Sequence, residues 1–178
     1  MFDRDGFVGD CRAALGSDRP ARAMKEIVAR AIRDPAIMVR TLGTASGRGM
    51  EAIHRSADLT ILNVIWPVGQ IVMPHEHRLW AVVGVYAGRE DNILWRRLPS
   101  DEHGRIEAAG ALSLGEGEAA AFGADVIHSV VNPLARPTGA IHVYGGDFFA
   151  VSRSEWDPDS LRERPYDMEK VLRMFNAQ

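Results

Sequence analysis

Hydrophobic positions follow two rhythms along this chain. In the first forty residues they recur at helical spacing: Ala23, Met24, Ile27, Val28, Ala31 and Ile32 fall on one face. Ser17 or Asp18 would cap that helix, with Pro20 in its first turn. Asp34-Pro35 would end it, because proline disfavours helical backbone in the residue before it. A glycine-rich loop, Gly43 to Gly49, closes a helical flank of residues 1–45. From Met50 the chain turns to short β-branched and aromatic runs, separated by Gly, Pro, Asp and Asn about every ten residues. Strands are predicted at Ala52–Arg55, Leu59–Trp66, Gln70–Met73, Leu79–Tyr86 and Asn92–Leu98. Others follow at Ile106–Leu112, Glu118–Phe122, Val126–Val131, and Ala140–Tyr144 running on towards Phe149. Many short strands with no helical pattern between them predict an all-β fold, a closed antiparallel barrel or jelly roll over residues 50–150. From about Asp157 the pattern is helical again, with Met168, Val171, Leu172 and Phe175 on one face of a tail within residues 155–178. Both helical flanks are expected to pack against the outside of the barrel.

Composition narrows the class without naming a chemistry. The 178 residues, 46% hydrophobic and 25% charged, suit one domain spanning 1–178. A net charge of −3 offers no basic surplus for nucleic acid or an acidic membrane. Asp3, Arg4, Asp5 and Asp10 stand where an export signal would need an apolar run. Leu79 to Gly88 is far short of the ~20 residues that cross a bilayer. Cys11 is the single cysteine, which removes any intramolecular disulfide, CxxC redox pair or cysteine-based zinc cluster. A reducing, cytoplasmic setting is expected.

The histidines carry more. His75 and His77 are separated by one residue, so on a strand both rings would face one side, close enough to share a metal ion, with Glu76 facing the other way. Pro74 suits a strand start, since it has no amide hydrogen for the ladder. His128 follows 51 positions after His77, within Gly123-Ala-Asp-Val-Ile-His-Ser-Val-Val-Asn132-Pro, and Gly69 lies six positions before His75. A G-x5-HxH segment followed by a glycine-led H-x3-N segment resembles the paired motifs of the cupin superfamily. The resemblance spans Leu59 to Phe149 and implies a double-stranded β-helix, or RmlC-like jelly roll, that gathers His75, His77 and His128 inside the barrel around a metal. The family's usual glutamate, four or five residues after the second histidine, is here Ala81 or Val82. Three neutral imidazoles would leave a bound ion its full dipositive charge and open positions for anionic ligands. Glu90 is expected to be structural.

Within the cupins the sequence resembles the cysteine dioxygenase and 3-mercaptopropionate dioxygenase group. The likeness rests on His75-Glu76-His77 without the glutamate, on Trp80 in HxHxxWAVVGVYAG, on His128, and on Ala140-Ile-His142-Val-Tyr144. It implies Fe(II) on the three histidines and a catalytic pair in which His142 orients Tyr144 towards substrate and oxygen. The family's relay serine is here Ala140, which cuts the relay back to a His–Tyr pair. Cys11 lies in the N-terminal flank, so a cysteine–tyrosine crosslink to Tyr144 is not expected. For the carboxylate clamp seen in the family, Arg48 and Arg55 lie in the right part of the chain, while Arg78 should point away from the metal. The implied activity adds O2 to a small thiol, one bearing a carboxylate, to give a sulfinate. A three-histidine zinc, nickel or other divalent site doing hydrolytic or isomerase chemistry, and a non-catalytic small-ligand sensor, stay open as alternatives. The exposed edges of the sheet would permit a homodimer. His54 and His103 are expected at the surface, the four tryptophans as core or interface fillers, Asn132-Pro133 in a turn, and Asp91-Asn92 with Gly88 in another.

Overall fold

Residues 2–43 and 49–176 are described in the computed structural model. Three helices open the chain: α1 (Arg4–Ala14), α2 (Pro20–Ala31) and α3 (Pro35–Leu42). The Asp3 carboxylate caps α1 by accepting from the Gly6 amide at 3.0 Å. Asp34-Pro35 does end α2, but it also starts α3: Asp34 accepts from the Ile37 amide at 3.0 Å and Pro35 takes the first turn. Neither Ser17 nor Asp18 caps α2; Arg19 holds that position with no side-chain cap bond. The Ser17 hydroxyl is engaged elsewhere, donating at 2.8 Å to the Ala14 carbonyl at the end of α1.

Two antiparallel sheets follow and face each other. One has the order β1-β2-β9-β4-β7, built from β1 (Gly49–Arg55), β2 (Thr60–Trp66), β9 (Thr138–Tyr144), β4 (Ala81–Ala87) and β7 (Ala119–Phe122). The other has the order β11-β10-β3-β8-β5-β6. Its strands are β11 (Glu163–Pro165), β10 (Ser154–Trp156), β3 (Ile71–Glu76), β8 (Ile127–Val131), β5 (Arg89–Arg97) and β6 (Ile106–Gly115). From β2 to β10 the chain alternates between the sheets except at the β5–β6 hairpin, which is the path of the predicted jelly roll, or double-stranded β-helix.

All nine predicted strands are present, with ends shifted by a few residues. Pro74 lies inside β3 rather than at its start, and the register with β8 shifts between Val72 and His75. A bulge is one of the few strand-interior sites where a missing amide hydrogen costs no ladder bond. Asp91 and Asn92 are strand residues of β5, not turn residues; Gly88 alone makes the β4–β5 turn, at φ +85°. The tail departs most from expectation. In place of helix from Asp157, β10 and β11 pair as a small hairpin and α4 begins only at Met168, ending at Asn176. The Asp157 carboxylate accepts from the Ser160 amide at 2.9 Å, so this side chain closes a turn instead of opening a helix.

The five-stranded sheet is covered on both faces, and every residue of β2, β4 and β9 is buried. Met24, Val28 and Ile32 are fully buried against its outer face. A side chain at Gly84 would collide with Val28 and Ile32, so α2 lies directly on β4 at that point. α4 behaves differently from the expected outer flank. Val171 and Phe175 join the cluster between the sheets, and the Phe175 ring meets Trp66 edge-on with centroids 5.0 Å apart. α4 thus closes one mouth of the barrel. Among the described residues no helix is long and apolar enough to cross a membrane.

Candidate metal centre

Strand pairing alone puts two of the candidate ligands side by side. His75 on β3 is directly opposite His128 on β8, and their rings are 4.6 Å apart between centroids. His77 lies just past the end of β3 yet keeps its ring on the same side, 4.8 Å from His75 and 5.1 Å from His128. One ring nitrogen from each of the three lies within 4.8 Å of the other two. Glu76 faces away, ion-paired with Arg78 at 2.6 Å and Arg97 at 3.0 Å. Among the described residues no carboxylate belongs to the cluster, in keeping with the absent motif glutamate.

Local hydrogen bonds select which nitrogen of each ring is available. A carbonyl can only accept, so His75 Nδ1, 2.8 Å from the Met73 oxygen, carries the proton and leaves Nε2 with the lone pair. His128 Nδ1 stands 2.8 Å from Asn92 Oδ1, which selects the same tautomer. Asn92 reaches it because it opposes Val130, the inward-facing neighbour of His128 two positions along β8. His77 Nε2 then faces His128 Nε2 at 3.0 Å, and His77 Nδ1 is buried with no partner among the described residues. Lone-pair nitrogens converging in a buried pocket are what a divalent cation satisfies, so the donor set fits a metal. Removing the Asn92 carbonyl should loosen this ring: Asn92→Ala is expected to weaken metal binding roughly 10- to 100-fold by competition with a chelator, with the fold unchanged.

Burial holds all three imidazoles in the neutral form that a metal needs. It pushes His75 down to about 4, and it pushes His77 and His128 well below the ordinary value of 6.5. Mutual repulsion among the rings lowers His77 and His128 further. In the unfolded chain these rings protonate near 6.5, so the unfolded state binds more protons as pH falls below that value. The metal-free protein should therefore lose stability between pH 6.5 and about 4, with His75 alone contributing roughly 3 kcal/mol of the loss. Urea midpoints measured across that range should fall steadily; a flat profile would contradict buried neutral rings.

His142 and Tyr144 come from β9 on the facing sheet. His142 Nδ1 is 3.1 Å from the Tyr144 hydroxyl, and the Tyr144 ring is 4.9 Å from His77. Burial raises the phenol well above its ordinary value, so Tyr144 keeps its proton. Glu90, expected to be structural, places its Oε1 3.1 Å from His142 Nε2, and both groups are buried. Around the histidines, Trp66, Phe148, Tyr166, Val171 and Phe175 line a narrow cavity of about 30 Å³, room for roughly two water molecules.

Of the two proposed clamp residues, Arg55 is not brought to this cavity. Arg55 is exposed, forks onto Asp147 through two bonds of 2.9 Å, and lies over the Phe149 ring; this ion pair occupies the guanidinium. Arg48 lies outside the described residues. A different arginine is nearby. The guanidinium of Arg153 is sandwiched between Phe148 and Tyr166, 4.3 and 4.2 Å from their ring centres, and both rings line the cavity. Its Nη1 donates to the Phe148 carbonyl at 2.6 Å, whereas Nε and Nη2 are buried with no partner among the described residues. Sequence reasoning does not point to Arg153, to Asn92 beside His128, or to the contact of Glu90 with His142. Only the β5 pair carried a signal: Glu90 and Asn92 stand two apart, hence on one face, in a strand of a barrel.

No protein-family model matches the chain. Among solved structures it is similar to an RmlC-like cupin family protein with a double-stranded β-helix fold from Methanocaldococcus jannaschii. That match has 12% identity, covers 59% of this chain and 85% of the other, and has a TM-score of 0.47. It is also similar to the DMSP lyase DddQ from Ruegeria pomeroyi, at 19% identity over 59% of this chain and 46% of the other, TM-score 0.45. KdgF from Halomonas sp. gives 19% identity over 57% and 82%, TM-score 0.43.

Proposed function

We propose that this protein is a ferrous-iron-dependent oxidoreductase that oxidises a small thiol bearing an acidic group, resembling the thiol dioxygenases. The observation that carries this reading is the carboxylate-free donor set of His75, His77 and His128, neutral and within 4.8 Å of one another. Iron(II) held by these three rings would bring a thiolate and O2 together, so that both oxygen atoms pass to sulfur and oxidise it to a sulfinate. The chain supplies everything around that event. Met73 and Asn92 hold two of the rings in the ligating tautomer. Trp66, Phe148, Val171 and Phe175 exclude water from the reacting centre. Tyr144, held by His142, puts a phenol hydroxyl beside His77.

Arg153 is the anchor for the acidic group. Its Nε and Nη2 are buried donors with no acceptor among the described residues, held between two of the rings that line the cavity, and a buried cation without a full set of partners favours an anionic ligand. Arg153→Met should raise KM for 3-mercaptopropionate by about 10- to 100-fold, the worth of one charged hydrogen bond. Cysteamine, which has no carboxylate, should be unaffected; equal losses for both thiols would remove Arg153 from substrate binding. The reading itself is tested in an oxygen electrode. Ferrous protein should consume O2 with cysteine, cysteamine or 3-mercaptopropionate, and zinc-loaded protein should not. A stoichiometric iron site with no uptake on any small thiol would reject it.

A further inference from the structure

An open cleft of about 400 Å³ lies outside the metal cavity, lined by Arg78, Ser152, Arg153, Ser154, Glu163 and Arg164. None of these residues lines the cavity itself. Arg153 adjoins both spaces, because the rings on either side of its guanidinium, Phe148 and Tyr166, belong to the cavity lining.

The ion pairs around this cleft leave one cation over. Glu76 holds Arg78 at 2.6 Å and Arg97 at 3.0 Å, and Arg97 also reaches Glu163 at 2.7 Å. Arg164 is held by Glu155 at 2.8 Å and Asp157 at 3.1 Å, with Lys170 3.8 Å from Glu155. The lining carboxylate, Glu163, is further occupied by the Ser154 hydroxyl at 2.6 Å. Four cations thus share four carboxylates, and Arg153 has none among the described residues. It is 6% exposed, its Nη1 donates to the Phe148 carbonyl, and its Nε and Nη2 are buried without partners there. A buried cation in that state draws an anion to it.

Arg78 adds the donors. Its backbone sits at φ +53°, in the left-handed region that residues other than glycine seldom adopt, and such conformations cluster at binding sites. Its Nε is taken by Glu76, whereas its two terminal nitrogens have no partner among the described residues. The side chain is 55% exposed, so that pair of donors is open to a ligand.

We propose that this cleft binds the carboxylate of a small organic acid at a site separate from the metal cavity. The two terminal nitrogens of Arg78 suit the two carboxylate oxygens, the Ser152 hydroxyl stands beside them as a further donor, and the ligand's charge balances that of Arg153. One surplus positive charge matches a monoanion, which selects a carboxylate over a doubly charged phosphate. In the thiol reading the cleft takes up the acidic group of the substrate before it enters the cavity; that role rests on the reading, whereas the site does not.

Benzoate is the probe, because a cavity with room for roughly two water molecules cannot admit it. Its binding to metal-free protein is followed at pH 7 and constant ionic strength through the side-chain N–H signals of nitrogen-15-labelled arginine. One saturable site is expected, with no binding of the uncharged analogue benzamide and no displacement by an equal concentration of phosphate. Arg78→Gly, which suits the left-handed backbone, should weaken benzoate binding about 10-fold or more, the loss of a charged hydrogen bond. Arg153→Met should weaken it similarly, and if that buried substitution prevents folding the surface variant carries the test. Absence of saturation, equal affinity in Arg78→Gly, binding of benzamide as tight as that of benzoate, or displacement by phosphate would each overturn the proposal. Neither metal nor thiol is present in this experiment, so its failure leaves the thiol reading to be judged by oxygen uptake alone.

Discussion

Replacing His128 by alanine is expected to abolish metal binding while leaving the barrel folded. His128 is one of three ligands, it is buried, and its strand neighbour His75 holds the second ligand in direct register. Metal sites built from four protein ligands bind with roughly 10–16 kcal/mol, so one ligand carries about 3 kcal/mol or more, a loss in affinity of at least two orders of magnitude. The substitution also removes the nitrogen that stands 3.0 Å from His77 Nε2, so the converging donor set falls from three rings to two. Metal content after dialysis should fall from one ion per chain to a small fraction. Retention of a full equivalent would place the metal elsewhere.

The second large effect is expected at the barrel mouth. Phe175 is 1% exposed, meets Trp66 edge-on, and lines the cavity together with Val171. Truncating a buried phenylalanine typically costs about 3–5 kcal/mol. For a chain of this size Phe175→Ala should lower Tm by roughly 10 °C. It also unseats the helix that covers the cavity, so O2 uptake should survive only in protein that stays folded at the assay temperature. A change in Tm of about 1 °C would show that α4 does not close the barrel in solution. Thermal denaturation of metal-free protein decides this without reference to activity.

These two side chains differ sharply in how legible they were. The position of His128 follows from a local pattern, because alternation on a strand and the paired histidine motifs both point inward. The nine strands of the barrel are legible for the same reason, each marked by β-branched runs and turn residues. Phe175 also shows in the sequence as part of a helical stripe, but a stripe says only that one face is buried. It does not say what the face is buried against, and α4 fills the space between the sheets where α2 covers an outer face. The boundaries of the tail were misread because Asp157 suits a helix start and a turn equally well; its bonds to Ser160 select the turn.

The surroundings of the metal were the least legible part. Arg153 reaches Phe148 and Tyr166, two of the rings that line the cavity, from the loop before β10, and no spacing rule links that loop to β3 or β8. Arg55 looked equally suitable as a residue type, yet Asp147 takes up its guanidinium from 92 positions away. Such pairings depend on tertiary closure and leave no mark within a window of ten residues. Glu90 and Asn92 are intermediate. Polar side chains two apart on an inward-facing strand stand out once the strand is known, but Gly88 and Asp91 beside them suggest a turn.

We propose that the three-histidine cavity oxidises a thiol with dioxygen. Ferrous protein supplied with 3-mercaptopropionate under oxygen-18-labelled dioxygen tests it directly, with mass spectrometry of the product. A sulfinate carrying both labelled oxygen atoms is expected, formed by the wild type and not by His128→Ala. An unlabelled product, or a thiol recovered unchanged from protein with a full complement of iron, would contradict it.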